Sequence, residues 1–484
     1  MGVPDEGLDA DSGRDAAPHK VPTTGLGDRP RRHGGAYDCQ GHDDYLGQWG
    51  REVREHGPRS EQVAGPPRRG VSRRAFLGKA GGVAAGAVAA AATGGGIAPA
   101  AGAATPFEHT EPFYGVHQGG ISTAPQSQTM FVALDMTSDR RQDLVDLLRA
   151  WTSVAASLTS GQGGPPVGHD PETNVPDDGE VVQLGPARLT VNFGFGPSLF
   201  GRGSSDRFGL GQDRPEALVD LPAFAGDQLD PAKTGGDLTI HACADDPQVV
   251  FQAVRRLVRS AEGVAALRWS QTGFNEQSAT HRTPRNLMGF KDGTMNPSGT
   301  RELSELVWVR GAEPSWMDGG TYVVVRRIRM NLDKWDATSV ATQERIIGRH
   351  KGSGAPLGRS AEFDALDLSA KGLDGELIVP LDAHVRIASP QENWHNTMLR
   401  RSFGYNDDAL AAGTTSASNS STFDAGLFFV AYQQNPRLAF IPIYAELAAR
   451  DALGPFTVHT GSTIAAIPPG AQNPGSWIGE QLLS

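Results

Sequence analysis

The segment Gly289-Phe290-Lys291-Asp292-Gly293-Thr294-Met295-Asn296-Pro297 sets one carboxylate in a Gly-x-x-Asp-Gly pattern followed by further turn formers. An aspartate on so bent a backbone can work as an acid or a base, because its surroundings decide how readily it takes a proton. It can equally be an ordinary Asp-Gly turn at the surface. With 61 glycines in the chain, chance alone gives roughly half of one such pattern, so the segment needs context. Two histidines invite attention as well. His350 lies between Arg349 and Lys351, where a solvated loop imidazole is a simpler reading than a metal ligand. His395, close to Arg400 in sequence, can line a pocket, although a surface loop is the better expectation.

These side chains must be held by elements that the pattern of apolar residues outlines. Residues 129–136 read as a strand, and Ser138 then offers its hydroxyl as a helix cap. Leu144, Leu147, Leu148, Trp151, Ala155 and Leu158 follow at three- and four-residue steps, which places them on one helix face. Strands are expected at 187–193 and 238–243, then a helix opening at Asp246-Pro247, then a strand at 267–272. The second half repeats the order: strand 321–329, a helical stretch at 342–347, strands at 384–388 and 427–432, a helix within 437–449 and a strand at 462–467. Pro442 is tolerable in that last helix only if it marks the first turn. Each half reads βαββαβ, so the fold class is α+β, built from duplicated ferredoxin-like units with antiparallel sheets. The predicted units span residues 105–300 and 301–484.

Composition narrows the function classes. The chain has 484 residues and a net charge of −11, which argues against a nucleic-acid binder and for a small-molecule partner. Only Cys39 and Cys243 are present, too few for a disulfide framework or a cysteine-rich metal site. Residues 1–70 are rich in Gly, Pro, Asp, Arg and His without an apolar period, and read as a disordered leader. Ser72-Arg73-Arg74-Ala75-Phe76-Leu77-Gly78-Lys79 resembles a twin-arginine export signal, and residues 80–103 follow without a charged side chain. The signal is therefore placed at 71–104, with cleavage near Ala103. The uncharged run is mostly Ala and Gly, which makes it a poor permanent membrane span.

Two more segments give the Asp292 loop its context: Asp382-Ala383-His384-Val385-Arg386-Ile387-Ala388-Ser389-Pro390 and Met398-Leu399-Arg400-Arg401-Ser402-Phe403-Gly404-Tyr405. Together with the export signal they resemble the dye-decolourising (DyP-type) peroxidase family, in its exported branch that includes the deferrochelatase-like proteins. Pro112-Phe113-Tyr114-Gly115, Phe193-Gly194-Phe195-Gly196-Pro197, Gly319-Gly320-Thr321-Tyr322, Gly348-Arg349-His350-Lys351 and Gly426-Leu427-Phe428-Phe429 extend the likeness over residues 105–484.

The resemblance implies one haem b per chain, bound without a covalent link, since the chain lacks the Cys-x-x-Cys-His tether. It implies that His384 ligates the iron. Asp292 would take a proton from hydrogen peroxide and return it to the departing oxygen. Arg400 would face the developing anion with a permanent positive charge, and its donors can also hold a propionate. Gly293, Thr294 and Met295, and Ser389, Pro390 and Gln391, match positions that line the haem. The family more often shows Asn-Pro-Arg at the latter place, so Ser389 and Gln391 are departures. Asp451 falls where the family carries an acidic partner for the imidazole; a carboxylate at a helix end is the alternative. The resemblance also implies opposing influences on Asp292, from burial above the macrocycle and from the Arg400 charge, and an activity that depends on acidic pH. The implied partners are hydrogen peroxide and an organic reductant such as a phenol or dye. Trp308, Trp316, Trp335, Trp394, Tyr405 and Tyr432 can relay electrons from bulky reductants, though most aromatics are core. The other function in view is haem or iron handling, with iron released from haem as in a deferrochelatase. Retention of Asp292 and Arg400 favours catalysis. No stable membrane span is expected after signal cleavage, the destination is the cell envelope or the exterior, and homo-oligomerisation is left open.

Overall fold

The computed structural model describes residues 108–163, 184–201, 203, 205–276, 283–311, 314–409 and 422–484. The leader, the export signal with its cleavage point and Cys39 lie outside the described residues. Among the described residues, no helix is long and apolar enough to cross a membrane.

The first half runs β1 (Gln128–Met136), α1 (Arg141–Thr159), β2 (Thr190–Phe195), β3 (Leu238–Ala244), α2 (Pro247–Arg259) and β4 (Ala265–Phe274). Its strands pair antiparallel in the order β2-β3-β1-β4, the arrangement a βαββαβ chain adopts when both helices pack on one sheet face. The six apolar residues of the α1 stripe are all buried. Trp151 also satisfies its indole N–H on the Leu257 carbonyl of α2 at 2.9 Å. Asp246 caps α2 as its position before Pro247 predicts, accepting from the backbone N–H of Gln248 at 2.7 Å and Val249 at 3.0 Å. Ser138 does not cap α1. Its hydroxyl donates to Asp143 at 2.6 Å and accepts from the Arg140 N–H, and the helix starts two residues later than the serine would set.

The second half contains α3 (Gly299–Leu306), β5 (Thr321–Met330), α4 (Leu332–Asp336), α5 (Val340–Ile347), α6 (His384–Ile387), β6 (Leu399–Arg400), β7 (Phe403–Ala409), β8 (Phe423–Gln433), α7 (Phe440–Arg450) and β9 (Thr457–Ile467). Strand β5 pairs antiparallel with both β8 and β9, and β6 and β7 follow one another along β8. Pro442 falls in the first turn of α7. The expected strand at 384–388 is instead the single helical turn α6. Its His-Val-Arg-Ile alternation mimics period two, but Arg386 is buried and donates to the carbonyls of Pro380, Leu368 and Val379. The strand role passes to β6 and β7.

The two sheets also meet each other. Phe195 pairs with Ala466 and Phe274 with Gly404, so the sheet closes on itself through β5 and β8. Closure creates an interior packed with Phe131, Trp269, Tyr405, Phe428, Val430 and Tyr432. Alternate residues of β8 point the other way, and Leu427 and Phe429 face a cavity outside the ring.

Candidate active site

A cavity of about 470 Å³ lies between β5, β8, α6, α7 and the loop carrying Asp292. That is within the size range of cofactor sites. Its walls are mainly apolar, with Met288, Phe290, Ile328, Leu427, Phe429 and Ile443 among them, and a few polar groups converge on it.

Among the described residues two histidines line the cavity, His384 and His459, and their hydrogen bonds set them apart. The Nε–H of the buried Arg326 donates to His459 Nδ1 at 3.0 Å. A guanidinium cannot accept, so Nδ1 uses its lone pair there and the proton of the neutral ring sits on Nε2. Burial first, and the Arg326 charge second, hold His459 well below the ordinary imidazole range. It therefore offers no free lone pair. At His384 the arrangement is reversed. Its Nδ1 lies 2.6 Å from Asp451 Oδ2, and the second Asp451 oxygen accepts from the Leu453 N–H at 2.8 Å, so the carboxylate is fixed at the end of α7. With the Nδ1 proton engaged by a carboxylate, the lone pair of the neutral ring is on Nε2. Burial, the largest single influence on His384, pulls its proton affinity down. The charge and hydrogen bond of Asp451 prevail, and the net direction is upward.

Asp292 and Arg400 line the same cavity. Asp292 Oδ1 and Arg400 Nε are 3.6 Å apart, an ion pair too long to be a hydrogen bond. Arg400 Nε is buried and has no hydrogen-bond partner among the described residues, an unmet donor that costs free energy until a ligand accepts from it. The pair is registered by Asn296, which the motif reading passed over. Its amide donates to the Arg400 carbonyl at 2.7 Å and accepts from the Arg400 N–H at 3.2 Å. The side chain thus extends the hydrogen-bonding edge of β6 to the Asp292 loop. Gly293 has φ +113°, a conformation open to glycine and strained for other residues.

Gly293, Thr294, Met295, Ser389 and Pro390 all reach the cavity wall. Gln391 is not among the lining residues. The turn after α6 swings it outward, and its amide donates to the Leu366 carbonyl at 3.3 Å. His350 stands apart from the cavity and its Nδ1 lies 3.0 Å from Glu344; its neighbour Arg349, buried, does line the wall. His395 is exposed. Of the aromatic candidates, Trp308, Trp316, Trp335, Tyr405 and Tyr432 are buried, whereas Trp394 is 92% exposed. Nothing in the residue spacing distinguishes Asn296, Arg349 or His459 from ordinary polar residues.

The residues present fit a haem. An imidazole with one nitrogen locked by a carboxylate leaves the other for iron, the apolar walls suit a macrocycle, and the unmet Arg400 Nε suits an anionic group.

The chain matches the family description "Dyp-type peroxidase, N-terminal" over residues 118–275 and "Dyp-type peroxidase, C-terminal" over residues 283–472. It is 38% identical to the dye-decolorizing peroxidase of Thermobifida fusca over 453 residues, covering 86% of this chain and 98% of the relative. It is 35% identical to the deferrochelatase of Escherichia coli K12 over 384 residues, covering 77% of this chain and 87% of the relative. Among solved structures, it resembles an oxyferrous complex of DtpA from Streptomyces lividans, with a TM-score of 0.71, 40% identity, and coverage of 78% of this chain and 99% of that one. A DyP-type peroxidase from Cellulomonas bogoriensis gives a TM-score of 0.70 at 39% identity, covering 79% of this chain and 100% of that one.

Proposed function

The chain belongs to the Dyp-type peroxidase family and is a haem-dependent oxidoreductase that consumes hydrogen peroxide; from that premise we propose that His384 is its iron ligand and that Asp292 and Arg400 are its peroxide-side pair. Haem b, when bound, supplies an iron centre that takes oxidising equivalents from peroxide and passes them to a reductant. His384 offers Nε2, and Asp451 keeps the Nδ1 proton on its side of the ring, which makes the imidazole a stronger donor. Asp292 accepts a proton from the near oxygen of hydrogen peroxide and delivers it to the departing one, a general base that becomes a general acid. Arg400 holds its charge beside the departing oxygen as negative charge grows there, and its unmet Nε–H is available to an anionic acceptor, a propionate included. Gly293, Thr294, Met295, Ser389 and Pro390 would bound the macrocycle; Gln391 would contribute through the loop it anchors rather than by contact.

One observation carries this reading. A single cavity holds an imidazole with a free lone pair backed by a carboxylate, together with an Asp–Arg pair 3.6 Å apart. The test is to add stoichiometric peroxide to the haem-loaded mature chain and follow the visible spectrum. Rapid conversion to an oxidised species that a phenol or anthraquinone dye returns to the resting form is expected. A spectrum that stays unchanged and unbleached would instead favour haem or iron handling, the reading supported by likeness to proteins named deferrochelatase. A handling protein needs a ligand but no acid–base group, and the presence of Asp292 beside Arg400 is what favours catalysis.

The mature protein is exported on this reading, folded and loaded, by the twin-arginine route. The support is the Ser-Arg-Arg-Ala-Phe-Leu-Gly-Lys run from Ser72 and the uncharged residues 80–103. The acting chain then begins near residue 104, with the ferredoxin-like halves at 105–300 and 301–484.

A further inference from the structure

Asp292 stands on a loop that has no rigid element of its own to aim it. Gly289 before it and Gly293 after it both have left-handed backbones, with φ +84° and φ +113°. Such residues lower the barrier to reorientation unless outside contacts fix the chain between them. Besides the Asn296 bonds to Arg400 and the Trp335 indole N–H, which donates to the Met288 carbonyl at 3.1 Å, outside contacts come from a segment some 60 to 70 positions later in the chain, between α5 and α6. Lys291, immediately before Asp292, forms an ion pair with Glu362. Thr294, two residues after Asp292, donates its hydroxyl to Glu362 Oε1 at 3.1 Å, and Thr283 adds a further hydrogen bond to the same carboxylate. Both flanks of the aspartate therefore converge on one side chain. The Lys291 and Glu362 side chains are 14% and 11% exposed, so this pair is poorly screened, unlike most surface ion pairs.

The backbones interlock around that charge. A Cβ on Gly354 would lie 2.6 Å from Lys291 Cδ, and one on Gly289 would lie 2.7 Å from Lys351 Cε. Each lysine stem thus crosses a glycine of the other segment. Arg285 ties both segments together by donating to the carbonyls of Gly289 at 2.7 Å, Lys351 at 2.6 Å and Gly352 at 2.7 Å. Glu362 itself does not line the cavity. The bonds of its carboxylate go to the Asp292 loop, while its backbone carbonyl accepts from the wall residue Arg349 at 3.0 Å, a bond that a side-chain variant keeps.

We propose that Glu362 is a positioning residue for the peroxide step, holding Asp292 in register with Arg400 through Lys291 and Thr294. This rests on the assignment of Asp292 as the acid–base group. It predicts a split. Displacing the loop slows proton transfer on peroxide, while the later electron transfer from the reductant, which needs no aimed carboxylate, keeps its rate.

The experiment uses the full mature chain loaded with haem. Glu362→Gln keeps an acceptor for Thr294 and removes the charge that holds Lys291. Hydrogen exchange of the 285–296 segment, which contains the Asp292 N–H donated to Pro284, is expected to speed up by about tenfold or more in the variant. The second-order rate constant with peroxide is expected to fall by about tenfold, against roughly 10²- to 10⁴-fold for Asp292→Asn measured alongside. The rate of reduction by guaiacol should be unchanged. Lys291→Met should reproduce this pattern, and the double variant should be no worse than either single one; if Glu362→Gln fails to fold, Lys291→Met alone is read by the same criteria. Unchanged exchange, an unchanged peroxide rate, or an equal loss in the peroxide and guaiacol steps overturns the proposal. If Asp292→Asn is slow and Glu362→Gln is not, the role of Glu362 fails alone. If Asp292→Asn reacts as fast as the parent, the acid–base assignment fails and the proposal falls with it.

Discussion

Replacing Asp451 by Asn keeps the shape of the group behind His384 and removes its charge. Asp451 Oδ2 lies 2.6 Å from His384 Nδ1, and its side chain is only 7% exposed, so water cannot substitute for the carboxylate. A hydrogen bond to a charged group contributes about 1.5–3 kcal/mol, and a neutral one about 1 kcal/mol. The substitution should therefore cost about 0.5–2 kcal/mol at the ligand, which at 1.4 kcal/mol per factor of ten is roughly 2- to 30-fold. That range overlaps the roughly 10- to 100-fold expected when the outer partner of a ligating histidine is changed. The assay is the rate of haem loss to an excess of apomyoglobin, paired with the peroxide rate constant. Faster loss, a slower peroxide reaction, or both, within that range, is the expected result. The amide has one oxygen where the carboxylate has two, so keeping a neutral bond to the His384 Nδ1–H gives up the acceptor of the Leu453 N–H, a helix-end loss that is read separately in thermal melts. A variant that keeps parental haem retention and parental peroxide kinetics would refute the reasoning and leave Asp451 as a helix-end carboxylate alone.

Asn296→Ala removes both bonds to the Arg400 backbone; a loss of about 1–3 kcal/mol in chemical denaturation is expected, with a slower peroxide step, and parental values on both counts would contradict the role given to the amide. Gly293→Ala meets no atom closer than 3.5 Å, so its cost is conformational, about 1–2 kcal/mol from forcing a Cβ into a left-handed backbone; thermal melts measure it. Glu362 offers a pH test. Burial, the largest influence, raises its pKa, but bonds from Lys291, Thr283 and Thr294 together lower it below the ordinary 4.5. A depressed folded-state value means the carboxylate contributes stability above its unfolded pKa and loses that contribution as pH falls through the folded one. The stability gap between the parent and Glu362→Gln should accordingly be constant above about pH 4.5 and shrink below it. A gap that instead widened toward acid would reverse the sign.

The parts of this architecture set by local pattern were legible in the sequence. The α1 stripe, the Asp246-Pro247 start of α2 and the β-branched run of β5 each carry their own period or cap. The reading failed where tertiary contacts overrode it. At 384–388 an alternating polar and apolar run looked like a strand, yet Arg386 finds its partners inside the protein and the segment winds into one turn. Closure of the sheet rests on Phe195 with Ala466 and Phe274 with Gly404, contacts too distant in sequence to leave a local trace. His384, Asp292 and Arg400 were found by resemblance, and their shared cavity needed the fold. His459 could not have been separated from His384 by sequence, since the difference lies in which ring nitrogen meets Arg326 or Asp451. Glu362 sits in an irregular segment with no period, and only its meeting with Lys291 and Thr294 gives it meaning.

The most direct measurement is the haem stoichiometry and ferric spectrum of His384→Gly, recorded without and with added imidazole. Loss of bound haem, or of the nitrogen-ligated spectrum, with recovery when imidazole is supplied, is what coordination by that side chain requires. A variant that binds one haem with the parental spectrum and needs no imidazole would place the iron elsewhere.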